Sequence, residues 1–126
     1  IRFATTAPGI GGADDITTTG ASDLIAGGAA GDTIHSGAGD DFVLGDNGVF
    51  DFSADAVNGT LDTVTSSDPT MGGDDFLFGE GDEDYLFGGT ANDTISGGLG
   101  HDVLLGDHGR YEVALPANQN FISIFT

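Results

Sequence analysis

Aspartate recurs every nine residues in two runs, and this spacing restricts the fold of the chain more than any other feature. The recurring residues are Asp14, Asp23, Asp32 and Asp41, then Asp75, Asp84, Asp93 and Asp102. An aliphatic residue follows each of them by two positions: Ile16, Ile25, Ile34 and Val43, then Leu77, Leu86, Ile95 and Leu104. Glycine is concentrated just before each Asp. A period this regular indicates a repeat architecture rather than independent turns.

A longer period contains the shorter one. The sequence LGDNG at 44–48 returns as LGDHG at 105–109, which is an offset of 61 residues. Each larger unit therefore holds four nonapeptides, a GDxG segment and a non-repeating segment. The predicted units are 1–61, with repeats over 9–48 and a connecting hairpin, and 62–126, with repeats over 70–109 and a terminal hairpin. Because 124–126 aligns with 63–65, we expect the chain to be part of a longer array.

Each nonapeptide suits a tight glycine turn followed by a very short strand. Glycine permits positive φ and close backbone approach, and alternation along a strand points the aliphatic residue inward. Two repeats, or 18 residues, then contribute one strand to each of two parallel sheets, and successive copies must stack to bury their aliphatic faces. We therefore predict an all-β fold, a parallel β-roll (β-helix solenoid) in two blocks with hairpin-like segments between them.

The segments between the blocks carry a different pattern. Residues 49–65 and 110–126 are predicted hairpins, and Asn58 and Gly59 form a good two-residue turn in the first. One sheet should also have an apolar outer face, made of Leu24, Ala26, Phe42, Leu44, Tyr85, Phe87, Val103 and Leu105. Such a face normally has a cover or a partner. We expect the hairpin to cover it, and the alternative is lateral contact between neighbouring repeats or chains.

The charge balance points to cations as partners. The chain has 21 acidic and two basic residues, for a formal net charge of -19, so self-repulsion opposes a compact state. Nucleic acid is not expected as a partner, because no basic patch exists to neutralise phosphates. The chain has no cysteine, which excludes disulfides and thiolate metal sites. No apolar run approaches the roughly 18 residues that span a membrane.

Stacking places repeats n and n+2 on the same edge, so their carboxylates should lie side by side. With the carbonyls of the glycine turns they offer an all-oxygen site of the kind that Ca²⁺ accepts, whereas Mg²⁺ demands a stricter octahedron. Zinc is disfavoured, because His35, His101 and His108 share no position in the repeat. The predicted ligands are Asp14, Asp23, Asp32, Asp41, Asp75, Asp84, Asp93 and Asp102, in about two full sites per block, with Asp46 and Asp107 in a further terminal site.

Three of the repeats resemble a known family. The stretches GGLGHDVLL (97–105), GGTANDTIS (88–96) and SGAGDDFVL (36–44) are similar to the RTX (repeats-in-toxin) nonapeptide GGxGxDxUx, a calcium-binding repeat. The resemblance implies a parallel β-roll and folding triggered by extracellular calcium. It also implies secretion from bacteria, often by a type I system, and hence an extracellular or cell-surface location.

Nothing in the sequence indicates catalysis, since it has no GxSxG, no HExxH and no phosphate loop with Lys. We therefore expect a structural module rather than an enzyme, belonging to a large secreted or surface protein such as an adhesin or extracellular fibre. The alternative is the secretion-linked C-terminal domain of an extracellular enzyme or toxin. A third reading, the binding of a repetitive surface such as polysaccharide by the flat face, is the weakest of the three.

Overall fold

A computed structural model describes residues 2–53, 61–114 and 121–125, with side chains described up to residue 111. Every regular element in these ranges is a β-strand, which confirms the all-β prediction. The strands are β1 (Arg2–Ala4), β2 (Asp15–Thr17), β3 (Leu24–Ala26), β4 (Thr33–His35), β5 (Phe42–Leu44), β6 (Gly48–Asp51), β7 (Thr63–Ser66), β8 (Phe76–Phe78), β9 (Tyr85–Gly89), β10 (Thr94–Ser96), β11 (Val103–Asp107), β12 (Arg110–Ala114) and β13 (Phe121–Phe125). The described segments include no helix that could cross a lipid bilayer.

The repeats build two parallel sheets of four strands each. One, the polar sheet, has the order β10-β8-β4-β2, and the other, the apolar sheet, has the order β11-β9-β5-β3. Successive strands along the chain alternate between the two sheets, as the 18-residue spacing predicts. We call the four strand pairs β2–β3, β4–β5, β8–β9 and β10–β11 rungs 1 to 4.

The inward aliphatic residues form the core between these two sheets. Ile25, Ile34, Val43, Leu77 and Leu86 are buried together, and Ile16 and Ile95 pack against them. The prediction from the nonapeptide period is thus confirmed for seven of the eight positions. The exception is Leu104, which is 47% exposed because rung 4 has no further rung beside it.

The non-repeating segments form a third, antiparallel sheet. This covering sheet has the order β1-β6-β7-β12-β13. Strands β6 and β7 form the hairpin predicted for 49–65, and β12 and β13 form the one predicted for 110–126. The predicted turn at Asn58 and Gly59 lies outside the described residues.

The covering sheet packs on the outer face of the apolar sheet, as expected. Phe50, Val64 and Tyr111 of the covering sheet share a buried cluster with Leu44, Phe87 and Leu105 of the apolar sheet. Phe87 is fully buried there. The apolar outer face is therefore covered by the chain's own hairpin strands.

The two repeat blocks join without a gap. Strand β4 pairs with β8 and β5 pairs with β9, both in parallel, so rung 3 stacks directly on rung 2. The residues between the blocks leave the stack after rung 2, form the hairpin and return at rung 3. The division at residues 61 and 62 stays a prediction about the repeating unit, and all three sheets contain strands from both units.

Candidate metal centre

The repeat aspartates line two edges of the stack. Turns on the first edge lead into the polar sheet and contain Asp14, Asp32, Asp75 and Asp93. Turns on the second edge lead into the apolar sheet and contain Asp23, Asp41, Asp84 and Asp102. The structure thus brings together, in two rows, eight of the ten residues that the sequence predicts as ligands.

Turn geometry explains why glycine precedes each Asp. In the turn 36–41, the second and fourth positions have positive φ, with 93° at Gly37 and 119° at Gly39. Glycine adopts this region without steric cost. Where alanine replaces it, as at Ala30 and Ala91, the backbone still takes φ of 78° and 86°. The repeating turn shape is therefore kept even where the glycine pattern is incomplete.

Within each row, one oxygen of each carboxylate binds the neighbouring rung. Between rungs 1 and 2, the amide of Asp14 donates to Oδ1 of Asp32 at 2.8 Å, and Asp23 donates to Asp41 in the same way. The other predicted pairs, Asp75 with Asp93 and Asp84 with Asp102, are joined by the same bond at 3.0 and 3.1 Å. All four predicted neighbour pairs are confirmed.

The sequence analysis missed two further pairs at the junction between the blocks. The amide of Asp32 donates to Oδ1 of Asp75 at 2.7 Å, and the amide of Asp41 donates to Oδ1 of Asp84 at 3.1 Å. Both pairs have a separation of 43 residues rather than 18. The matched GDxG segments of the two units were the available signal, because they mark where the chain leaves the stack.

The second carboxylate oxygen of most repeats has no such partner. Oδ2 is buried and makes no hydrogen bond in Asp23, Asp32, Asp41, Asp75, Asp84 and Asp93. A buried charged oxygen without a partner costs several kcal/mol of solvation, roughly. These atoms therefore mark places where a ligand from outside the chain is expected.

Carbonyl oxygens of the glycine turns face the same spaces. A β-carbon built on Gly45 would overlap both Oδ2 of Asp75 and the carbonyl oxygen of Gly88. Gly79 has the same relation to Oδ2 of Asp84 and the carbonyl oxygen of Gly97. Glycine thus leaves open a small space in which a carboxylate oxygen and a carbonyl oxygen converge.

The donor set fits a hard cation. Carboxylate and carbonyl oxygens are the ligands that Ca²⁺ takes, in flexible geometry. Among the described residues, no three side chains of His, Cys, Asp or Glu form a metal-binding group. The oxygens that accompany each carboxylate in these spaces belong to the backbone.

Burial raises the pKa of the carboxylates in the middle of the stack. Desolvation is the largest cause for Asp32, Asp41 and Asp93, and it raises the pKa of Asp75 to about 7 and that of Asp84 to about 6. Hydrogen bonds from backbone amides oppose this shift, and neighbouring aspartates add to it. The electrostatic cost is thus greatest around the junction of rungs 2 and 3.

The chain's own cations lie elsewhere. Its only basic residues are Arg2 in β1 and Arg110 in β12, both in the covering sheet. Positive charge at the two aspartate rows must therefore come from outside the chain.

Asp46 and Asp107, the predicted terminal ligands, lie apart from the two rows. Asp46 is almost fully buried, and its Oδ1 accepts from the amide of Gly73 at 3.0 Å while its Oδ2 accepts from the amide of Thr90. Asp107 is exposed and pairs with Gly89 in the apolar sheet. Their role as ligands stays a prediction.

Some aspartates outside the ligand phase also join neighbouring rungs. Asp40 accepts from the amide of Glu83 at 3.2 Å, and Asp74 accepts from the amide of Asn92 at 2.9 Å. The sequence analysis treated these exposed residues as solvated charge only. Their hydrogen bonds add a second, outer link between the turns of adjacent rungs.

Strands stacked in register, with rows of carboxylates beside glycine turns, define a repeat protein with cation sites between its rungs. The profile of the RTX calcium-binding nonapeptide repeat (4 copies) matches residues 17–49 and 70–104, which is more than half of the chain. The chain belongs to this family of calcium-binding repeats. Comparison with curated proteins and with solved structures gives no match.

Proposed function

We propose that the chain is a calcium-folded structural module of a large secreted or cell-surface bacterial protein, such as an adhesin or an extracellular fibre. Its architecture is a β-roll in which Ca²⁺ links the turns of successive rungs. The observation that carries this proposal is the buried, unpartnered Oδ2 of Asp75 and of its counterparts, each facing a glycine carbonyl. Bound calcium would supply the positive charge that these oxygens lack.

The need for calcium follows from the position of the charges. Asp32, Asp41, Asp75 and Asp84 are at most 1% exposed, so ionised carboxylates there are poorly solvated. Without a counter-charge the rows repel, and burial of charge opposes folding. The chain should therefore be largely unfolded where calcium is scarce and folded at extracellular concentrations, near the millimolar range typical of extracellular calcium modules.

We further propose that the chain itself catalyses no reaction and serves as a spacer. Carboxylates that recur on every rung suit cross-linking by metal rather than acid–base chemistry at one site. The 61-residue unit favours an array over a secretion-linked domain, because each unit contributes two strands to the polar sheet and two to the apolar sheet. In the whole protein, further units of this length would support the array, and a protease or lipase motif would support the secretion-linked domain.

The test is a calcium titration followed by far-UV circular dichroism. The unaltered chain should show little strand signal in chelator and a cooperative gain near millimolar Ca²⁺. Asp75→Asn should raise the midpoint calcium concentration about tenfold or more, because it removes a proposed ligand. In chelator the same substitution removes a buried charge, so it should not weaken the calcium-free chain.

The adjacent Asp74 provides the matched control. It is exposed, and an asparagine keeps the oxygen that accepts from the amide of Asn92. Asp74→Asn should leave the calcium midpoint nearly unchanged. A full strand signal in chelator, an identical response to magnesium alone, or equal midpoints for the two variants would each contradict the proposal.

A further inference from the structure

The molecule consists of two equivalent units, so the junction between them shows how one unit binds another. In the covering sheet, Phe3 pairs with Phe50 across β1 and β6, and 61 residues later Val64 pairs with Tyr111 across β7 and β12. By the same offset, rungs 1 and 2 correspond to rungs 3 and 4. The contact between rungs 2 and 3 is therefore a complete unit-to-unit interface.

This internal junction combines three kinds of contact. Parallel pairing places Phe42 against Tyr85 and Leu44 against Phe87, and the first pair stacks with ring centroids 4.5 Å apart. The amide of Asp32 donates to Oδ1 of Asp75 across it. Leu44 and Phe87 are 1% and 0% exposed there, so the junction is closely packed.

The two ends of the stack expose the same surfaces without their partners. Leu104 is the counterpart of Val43 and is 47% exposed, whereas Val43 at the junction is 1% exposed. At the other end, Leu24 is 42% exposed and lines an apolar pocket with Phe3 and Phe50. The outermost strands are β10 and β11 at one end and β2 and β3 at the other.

We propose that a second copy of this chain docks end to end, with rung 4 of one copy against rung 1 of the next. The contact would repeat the internal junction, because rung 4 corresponds to rung 2 and rung 1 corresponds to rung 3. Ser96 of one copy would lie beside Thr17 of the next, and the amide of Asp93 would donate to Asp14. This docking rests on the proposed function, since it brings two rows of carboxylates together and so requires calcium.

Strand β13 sets a condition on the docking. It pairs with β12 at the end of the covering sheet, in the place that β1 of the next copy would take. Strand β1 has three residues, all of them exposed, so β1 yields and β13 then pairs with β6 of the next copy. A head-to-tail contact of this kind does not close on itself, so the product is a linear chain of copies.

Cross-linking between the two ends tests the docking directly. The chain has no cysteine, so the double variant Thr17→Cys/Ser96→Cys places one thiol at each end of the polar sheet. Strands β2 and β10 are separated by β4 and β8, so a short bis-maleimide joins the two thiols only between copies. We expect a ladder of covalent dimers and longer products in calcium, and its loss in chelator.

The single variants are the controls. Thr17→Cys alone and Ser96→Cys alone should give no ladder, because head-to-tail contact never brings two identical ends together. Sedimentation velocity of the unaltered chain in calcium should show mass that rises with concentration. Leu24→Arg should abolish that rise, whereas Phe76→Arg, at a residue that is similarly exposed at 49% but lies in β8 away from both ends, should retain it.

Circular dichroism in the same calcium buffer separates the two proposals. A full strand signal with no ladder and a constant monomer mass would overturn the docking and leave the calcium module intact. Equal cross-linking by the single variants would also overturn the docking, because it indicates a symmetric contact. An absence of calcium-induced strand signal would overturn the proposed function and the docking with it.

Discussion

At the scale of the residue, each repeat aspartate makes two different contacts with its two carboxylate oxygens. Oδ1 of Asp75 accepts from the amide of Asp32, while its Oδ2 is buried beside the carbonyl of Gly88. Asparagine preserves the first contact but would direct an amide group at the space beside the carbonyl. Both contacts therefore require aspartate, which explains why this residue recurs in phase with the turn.

The raised pKa values predict a pH dependence that differs with and without calcium. The pKa of Asp75 is about 7 and that of Asp84 about 6 in the folded chain, against about 4 for an unfolded aspartate. The folded state thus binds more protons between pH 4 and 7, so the stability of the calcium-free fold rises on acidification. That gain is complete below about pH 4 and is lost as the pH rises through about 7.

In the presence of calcium the sign is reversed, because protons compete for the same oxygens. We expect the midpoint calcium concentration to increase as the pH falls from 7.5 to 5.5, and the strand signal in chelator to increase over the same interval. Circular dichroism at several pH values measures both quantities, with Asp75→Asn as the variant that reduces the dependence. A calcium midpoint that is independent of pH would show that these carboxylates are not involved in binding.

At the scale of the element, the hairpin between the blocks is inserted into a single turn of the stack. Gly45 begins that turn after β5, and Asp75 ends it before β8. Asp46 holds the two parts together, since its carboxylate accepts from the amides of Gly73 and Thr90. The hairpin is therefore added without interrupting the hydrogen bonds that connect rungs 2 and 3.

Packing of the covering sheet should contribute strongly to stability. Phe87 is fully buried between the apolar and covering sheets, so Phe87→Asp places a charge in an apolar layer. We expect a loss of about 3–5 kcal/mol or more, the range for removal of a large buried aromatic side chain. Urea unfolding in saturating calcium measures the loss.

The comparison is with Phe76→Asp, because Phe76 is 49% exposed on the polar sheet. This control should change the free energy of unfolding by less than about 1 kcal/mol. Similar effects of the two substitutions would mean that the covering sheet does not pack on the apolar sheet in solution.

At the scale of the whole molecule, the two units are joined through all three sheets. Strands β4 and β8, β5 and β9, and β6 and β7 each pair across the boundary. Contacts at this boundary repeat those within each block, so neither block has a weaker connection at which folding could stop.

Calcium should consequently fold the chain in one transition. Tyr85 and Tyr111 pack against each other between the apolar and covering sheets, and their fluorescence reports on that layer. The calcium dependence of tyrosine fluorescence and of the strand signal in circular dichroism should coincide. Two separate midpoints would indicate that the blocks, or the covering sheet, fold independently.

The sequence by itself determined the structure within each nonapeptide. The turn, the three-residue strand, the inward aliphatic residue and the Asp pairs such as Asp14 with Asp32 follow from a strict period, because glycine turns and strand alternation are local properties. It also indicated the hairpins and the apolar face beneath them. The number of cation sites and the role of Asp46 were not fixed by the period.

Only the tertiary structure decided how the two blocks meet. The pairing of Asp32 with Asp75, the burial of Phe87 and the two amide bonds of Asp46 all depend on where the chain returns after the hairpin. That return is set by long-range packing of the covering sheet on the apolar sheet, which no local pattern specifies. The sequence therefore defined the rung, and the tertiary packing defined the continuous stack.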